Sequence, residues 1–564
     1  MNITETKENK VFNLFFYASL CVLAIIYIIG MQMDLMDVDA TQYALISKEM
    51  FHSHSYLQVY CNGQDYLDKP PLLFWTACLS FSVFGVHDWA FRLPSILCIA
   101  LGVYSVYRYS KLYYAERVAK IAALITASCC ATYLMAHDVR CDTMLTGFVI
   151  FTIWQLAEFN LHLKFKNLLL GAIGIGLSML TKGPLGLIIP VVAFSTEFIY
   201  KRQWKNFFRW QYLVVILAVA LMLLPMSIGL YEQFDMHPEK TVYNIKSPSG
   251  LRFYYWTQSF GRITGENYWN NNPDPFFLIH SFFWSFLPWT VFFLVALFTE
   301  IKEKVKTWKT HTSPEAITLG GFLLIFIFLT RSKYQLPHYT FPLHPLAAVI
   351  AAKYLYTNFT SPARNKLFSI TNGVNIFVMF VIFTLAFVLI NLVFPVSIIF
   401  SIALALPLAF FLWLLFNKKT ERTLKILLTA IVPMVTLGFV LNLNFYPTLL
   451  TYQLGPNLGR ELTKIAPPGS HAYFLNDWSN FSTHFYTDVP VKDNADTAYI
   501  KANLVKGKTF IIADSTKAQS ILALNPGITV VEKLPNFGVT GLELQFLNPA
   551  TREKDYPKVV LMKY

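Results

Sequence analysis

The chain has 564 residues, of which 55% are apolar and only 14% charged, and its mean hydropathy is +0.45. That balance excludes an ordinary soluble globular protein and marks a polytopic membrane protein. The 46 basic residues against 33 acidic ones give a net charge of +13, which suits nucleic acid but equally suits cytoplasmic loops of a membrane protein.

Apolar runs of bilayer-crossing length, roughly 17 to 25 residues, fall near 11–31, 92–110, 117–135, 143–160, 167–181 and 184–200. More follow near 211–230, 276–298, 315–330, 341–357, 367–393, 395–416 and 423–443. This predicts about thirteen transmembrane helices by length. With a cytoplasmic N-terminus, alternate connections carry YRYSKLYYAER, HLKFKN, KRQWKNFFR, EIKEKVKTWK, SPARNK and NKKTERTLK, so the basic residues sort to the inside. Nucleic acid becomes an unnecessary partner. The first run follows MNITETKENK and has no small-residue cleavage site after it, which predicts a retained helix. The seven cysteines show neither CxxC nor Cys/His metal spacing, so neither a disulfide framework nor a zinc site is expected.

Beyond about residue 444 the apolar runs shorten to HAYFLN, KTFIIAD, TVVEKL and LELQFL, separated by PPG, NPG and NFG. These read as short strands, with a helix around GRELTKIA. The expected division is therefore a membrane domain over 1–443 and a small soluble α/β domain over 444–564, which an odd number of spans places outside. The same topology opens the 32–70 loop, HDVRCD at 137–142, TKGP at 181–184, the 231–275 loop and RSKYQLPHY at 331–339 on the outer face. The inner connections are short, so chemistry is expected outside.

The densest constellation there is Asp37, Asp39, Tyr43, Tyr66, Asp68 and Lys69. Ionisable groups at a membrane boundary are costly and generally functional. The prolines of KPPL fix their own φ and restrict the preceding residue, so Lys69 is held at a rigid helix entry.

These residues resemble the lipid A aminoarabinose transferases and the protein O-mannosyltransferase-like enzymes, polyprenyl-phosphate glycosyltransferases of the GT-C fold. The family's Asp-Glu-x-Arg-Tyr-Ala motif corresponds to Asp39-Ala40-Thr41-Gln42-Tyr43-Ala44, where Asp39 and Tyr43 match and the Glu and Arg do not. Its Tyr-Phe-Glu-Lys-Pro-Pro-Leu corresponds to Tyr66-Leu67-Asp68-Lys69-Pro70-Pro71-Leu72, followed by FGVHDWAFRLPS. Further matches are Arg140-Cys141-Asp142, Thr181-Lys182-Gly183-Pro184, QSFGRITG with Arg262, FLPW at 286–289 and SKYQLPHYTFPLHP with Lys333 and Tyr339.

The resemblance implies an inner-membrane enzyme, facing the periplasm, that moves a sugar from polyprenyl (undecaprenyl) phosphate to an outer-leaflet acceptor with inversion. Lipid A is the leading acceptor and 4-amino-4-deoxy-L-arabinose the leading sugar. A cation clamp must then neutralise the lipid phosphate in a poorly hydrated site. Lys69, Arg262 and Lys333 are its expected members, with Tyr339 as a neutral donor. Asp39 is expected opposite, as base or electrostatic partner of the sugar, while Asp68 holds Lys69 or helps bind a divalent cation. Asp39 and Asp68 are the open candidates for that metal. Asp37, Tyr43, Tyr66, Asp142 and Lys182 complete the expected cavity, although helix capping would explain Asp142 and snorkelling would explain Lys182. His137, His280, His338 and His344 read as packing or ordinary hydrogen bonding. The aromatic stretch 253–269 reads either as an interfacial belt or as a loop lining the cavity.

Three alternatives stay open. A mannosyl-type enzyme would glycosylate protein or glycan hydroxyls, and a lipid-linked oligosaccharide ligase would make a polymer. A transporter or flippase would carry charges deep in its spans and repeated halves, whereas here the charges gather in outer loops.

Overall fold

The computed structural model describes residues 7–266, 271, 273–360, 365–475, 480–523, 525–554 and 556–564. Positions 1–6, residues 267–269 of the aromatic stretch, 361–364 of the SPARNK connection and Asn476 lie outside the described residues.

Helix covers every apolar stretch expected to span. The N-terminal half runs α1 (Lys7–Gly30), α2 (Asp39–Ser53), α3 (Leu72–Phe84), α4 (Asp88–Tyr113), α5 (Glu116–Ser128), α6 (Cys130–His137), α7 (Cys141–His162), α8 (Phe165–Lys182), α9 (Leu185–Tyr200) and α10 (Gln211–Leu230). Among the described residues, seven helices are long and apolar enough to cross a membrane, or up to nine if each of two bent pairs is one span. Leu72–Phe84, Leu185–Tyr200 and Ile317–Leu329 are apolar but shorter. The count of about thirteen therefore rests on including helices too short to span by themselves. Neither α2 nor α3 was among the expected spans; they make the 32–84 region a folded shelf in place of a plain loop.

The two bent pairs meet each other. α5 and α6 meet at Cys129 with a 51° bend, and Phe277–Ser285 and Thr290–Lys306 meet at FLPW with a 118° bend. A broken helix frees backbone groups that lipid cannot satisfy, and these two breaks satisfy each other. The Cys130 amide donates to Leu287 O at 2.8 Å, and the Trp289 indole donates to Ser128 Oγ at 2.9 Å. Among the described residues, Trp289 is the largest fully buried side chain. Between α4 and α7 the helices approach until a Cβ at Gly147 would stand 2.4 Å from Cys98 O, the small-residue packing that membrane helices favour.

The C-terminal part holds a five-stranded mixed sheet ordered Val491–Ala495, His471–Leu475, Thr509–Asp514, Lys558–Lys563, Thr529–Pro535. The first three run parallel and the last two pairings are antiparallel. Leu454–Ile465 is helical, as GRELTKIA suggests. LELQFL is not a strand: Leu544–Leu547 forms a helical turn. Its Phe546 stacks on Phe537 at 3.6 Å between centroids, and Arg552 caps Phe546 O at 2.9 Å, so aromatic packing against Phe394 and Tyr452 overrides the alternating pattern.

The sheet-bearing part sits on the 32–70 region. Lys48 of α2 donates to Phe485 O and Thr487 O at 3.0 and 2.9 Å and pairs with Asp488. Arg460 pairs with Asp34, and Asn62 donates to Asp493 at 2.6 Å.

Candidate active site

Six segments converge on a cavity of about 150 Å³: the start of α2, the Asp68–Pro70 entry to α3, the turn from α6 into α7, the end of α8, and the 258–262 and 334–339 stretches. α7 leaves this end of the molecule and α8 returns to it, so Asp142 in the first turn of one meets Lys182 in the last turn of the other. Gly183 follows at φ +76, a conformation glycine adopts without strain, and the helix stops with its lysine at the cavity.

Lys69 pairs with Asp68 at 2.7 Å, as expected of an acid that holds the lysine. Gln258 donates to Asp68 Oδ1 at 2.7 Å, and Arg262 lies 3.9 Å from the same oxygen while donating to Gln258 at 3.0 Å. Burial alone would raise the Asp68 carboxyl, but Lys69, Arg262 and the Gln258 bond outweigh it and hold the group below the ordinary carboxylate range. Burial likewise opposes the charge on Lys69, and Asp68 restores it, leaving the lysine above its ordinary value. Arg262 also donates to the Tyr339 hydroxyl. Burial raises the Tyr339 phenol, so this hydroxyl accepts from the guanidinium and keeps its own proton to donate.

On the other side, Asp39 accepts from Arg140, which also bonds Asp138. Asp142 pairs with Lys182 and stands 3.7 Å from His338 Nε2, and Lys182 lies 4.2 Å from the centre of the Tyr339 ring. Burial, then Lys182 and Arg140, push His338 well below its ordinary value, so it is a neutral imidazole. Lys69, Arg140, Lys182 and Arg262 face Asp39, Asp68 and Asp142 around the cavity, an excess of cation in a buried space and a setting for a phosphate.

Of the expected residues, Asp39, Tyr43, Asp68, Lys69, Asp142, Lys182, Arg262 and Tyr339 line this cavity. Three do not. Asp37 turns away, its carboxylate accepting from Thr41 at 2.8 Å and its amide donating to Gln453 at 3.0 Å. Tyr66 lines a smaller adjoining pocket and packs edge-on against Phe74. Lys333 has its amide on Arg262 O at 3.0 Å but its side chain is exposed. Sequence reasoning passed over Arg140, Gln258 and Tyr334, and read His338 as packing. Arg140 and Gln258 stood inside the quoted motifs, which was the available signal. His137 and His344 are packing residues as read: the first bonds Tyr133 O and the second Ser285. Among the described residues no three metal-ligating side chains converge. The two carboxylates considered for a cation, Asp39 and Asp68, are already occupied by Arg140 and Lys69. The donor set does not fit a divalent metal.

Residues 68–228 match the family described as dolichyl-phosphate-mannose-protein mannosyltransferase. The undecaprenyl phosphate-alpha-4-amino-4-deoxy-L-arabinose arabinosyl transferase of Pseudomonas savastanoi pv. phaseolicola is 25% identical over 320 residues, 56% of each chain. Its counterpart numbered 2 from Proteus mirabilis is 25% identical over 346 residues, 60% of this chain and 59% of that one. The chain thus spans under two thirds of these relatives' length. The crystal structure of ArnT from Cupriavidus metallidurans bound to undecaprenyl phosphate superposes with a TM-score of 0.71 at 17% identity, covering 97% of this chain and 98% of that one. The fold is that of ArnT, and in sequence and architecture the chain resembles the polyprenyl-phosphate-dependent GT-C glycosyltransferases of the aminoarabinose transferase and O-mannosyltransferase kind.

Proposed function

We propose that this protein is a multi-span inner-membrane glycosyltransferase that moves a sugar, with 4-amino-4-deoxy-L-arabinose first among candidates, from undecaprenyl phosphate to lipid A on the periplasmic side. The observation that carries the reading is the buried cavity in which Lys69, Lys182, Arg262 and Tyr339 converge beside Asp39. In the reaction the bond between the anomeric carbon and the phosphate oxygen breaks, and its electron pair leaves with the polyprenyl phosphate. An acceptor oxygen forms the new glycosidic bond from the opposite face. Lys69 and Arg262 stabilise the charge that grows on the departing phosphate, and Tyr339 donates to it, in a site where water competes little. Residues 1–443 would form the catalytic membrane domain and 444–564 the external one.

Asp39 is engaged by the Arg140 guanidinium, which leaves it poorly placed to take a proton from a hydroxyl acceptor. A phosphate acceptor needs no base, because a monoester's second pKa is about 6. This favours lipid A phosphate over a hydroxyl.

The test is mass spectrometry of lipid A and of glycosylated protein from cells with and without the chain. A sugar-sized mass gained by lipid A only with the chain supports the reading. Unchanged lipid A with sugar gained on protein or glycan hydroxyls overturns the acceptor, and no glycan change in any fraction overturns the enzyme.

A further inference from the structure

Arg92, in the first turns of α4, is 1% exposed and belongs to no part of the cavity described above. Its guanidinium spends its donors on main-chain carbonyls of two separate segments. Nη1 donates to Met31 O at 3.1 Å and to Met33 O, and Nη2 to Asp34 O at 2.8 Å. Nε donates to His137 O at 3.0 Å. The first three carbonyls lie in the short connection between α1 and α2, which ends at Asp39. The fourth closes α6, three residues before Arg140. One side chain therefore ties together the roots of the two segments whose tips meet as the Asp39–Arg140 ion pair.

Two further observations fix the same junction. Gln453, itself 1% exposed, bonds the α1–α2 connection from the other side, donating to Leu35 O at 2.8 Å and accepting from the Asp37 amide at 3.0 Å. At the end of α1, a Cβ at Gly30 would lie 2.4 Å from His137 Nε2, so the end of α1, from which the connection leaves, packs directly against the end of α6. A buried guanidinium is expensive unless its donors are met, and its planar fork reaches several acceptors in fixed directions, which an ammonium cannot reproduce.

We propose that Arg92, assisted by Gln453, is a positioning residue for glycosyl transfer: it sets the distance and orientation of Asp39 against Arg140 without touching substrate. This rests on the reading of the cavity as a glycosyl-transfer site. Arg92→Lys keeps the charge and most of the volume but cannot bond four carbonyls across two segments. A displacement of about 1 Å at reacting groups costs on the order of 100-fold, so kcat for Arg92→Lys is expected to fall about 10- to 100-fold with donor KM little changed.

The experiment is a double-mutant cycle on the full-length protein, with Arg92→Lys introduced into the parent and into Arg140→Gln, and turnover of a defined undecaprenyl-phosphate sugar as readout. If Arg92 acts through the Asp39–Arg140 pair, its loss changes kcat by less than about threefold once that pair is gone, the non-additivity of coupled residues. Hydrogen exchange gives a second readout independent of turnover: faster exchange confined to residues 31–39 and 137–141. Equal proportional losses in both backgrounds, parental kcat in Arg92→Lys, or accelerated exchange spread over the whole chain each overturn the positioning role. If Arg92→Lys does not fold, Gln453→Met takes its place in the same cycle, with the same outcomes deciding. A parent that transfers no sugar overturns the functional reading and this proposal with it, whereas an active parent with additive losses overturns the proposal alone.

Discussion

Lys69 and Arg262 share one carboxylate, Asp68, with Gln258 bridging between them, so the clamp is a network, and removing one member disturbs the rest. Lys69→Ala and Arg262→Ala are each expected to lower turnover about 100- to 1,000-fold, the scale for losing one preorganised donor to a developing anion. A radiolabelled transfer assay on folded, monodisperse protein reads it; parental rates in both would make the pair structural. His338 makes a pH prediction. Its folded pKa lies below the free value of about 6.5, so between those two values the unfolded chain binds more protons than the folded one. Stability therefore rises with pH through that window and falls on acidification below about 6.5. His338→Gln should flatten the fall in melting temperature between pH 7 and pH 5. An identical slope in parent and variant would remove this group from the pH response. Asp39, Lys69 and Arg262 were legible in the sequence because strings such as YLDKPPL and QSFGRITG surround them. His338 was not, although SKYQLPHYTFPLHP contains it, since a lone histidine ordinarily packs, and only the meeting of Asp142, Lys182 and the 334–339 stretch gives it a place in the site.

At the scale of elements, hydropathy found where helices lie but not where they break. Cys129 carries no breaking signal, and FLPW reads as the middle of an apolar run until its proline is weighed. The two breaks bond each other through Cys130 to Leu287 and Trp289 to Ser128, which long-range contact alone determines. Trp289→Ala removes a fully buried side chain at an expected cost of about 3–5 kcal/mol. Ser128→Ala should cost about 1 kcal/mol, the net worth of one hydrogen bond. Thermal unfolding in detergent compares them, and equal shifts would show that the indole's packing contributes little. The sheet was partly legible: HAYFL, TFIIAD and TVVEKL lie in strands, whereas LELQFL is pulled into an aromatic cluster with Phe394 and Tyr452.

For the whole molecule, the sheet domain is seated on α2 and on the connection that leads to Asp39, through Lys48, Arg460 and Gln453. Domain and site therefore lie at the same end of the molecule. Lys205→Cys should be labelled only from the cytoplasm and Lys501→Cys only from outside, using an impermeant maleimide in intact and opened cells. Labelling of both from one side would overturn the arrangement. The gathering of basic residues in alternate connections was readable from the sequence, because charge sorting needs no knowledge of packing. The docking itself was not, since Lys48 and Asp488 are ordinary surface-type residues more than 400 positions apart in the chain.

The surplus of cations around the cavity has a kinetic consequence. A sugar donor presents a phosphodiester with one negative charge, while the polyprenyl phosphate left behind is a monoester carrying close to two at neutral pH. On the proposed function, Lys69, Arg140, Lys182 and Arg262 set against Asp39, Asp68 and Asp142 should hold the second species more firmly than the first. The spent lipid should then be a competitive inhibitor whose escape limits steady-state throughput. A pre-steady-state burst of about one sugar per enzyme molecule, followed by a slower linear phase that added undecaprenyl phosphate slows further, is the expected trace. Linear progress from the first turnover, unaffected by the spent lipid, would mean that the cavity lets go of its anion as readily as it takes it up.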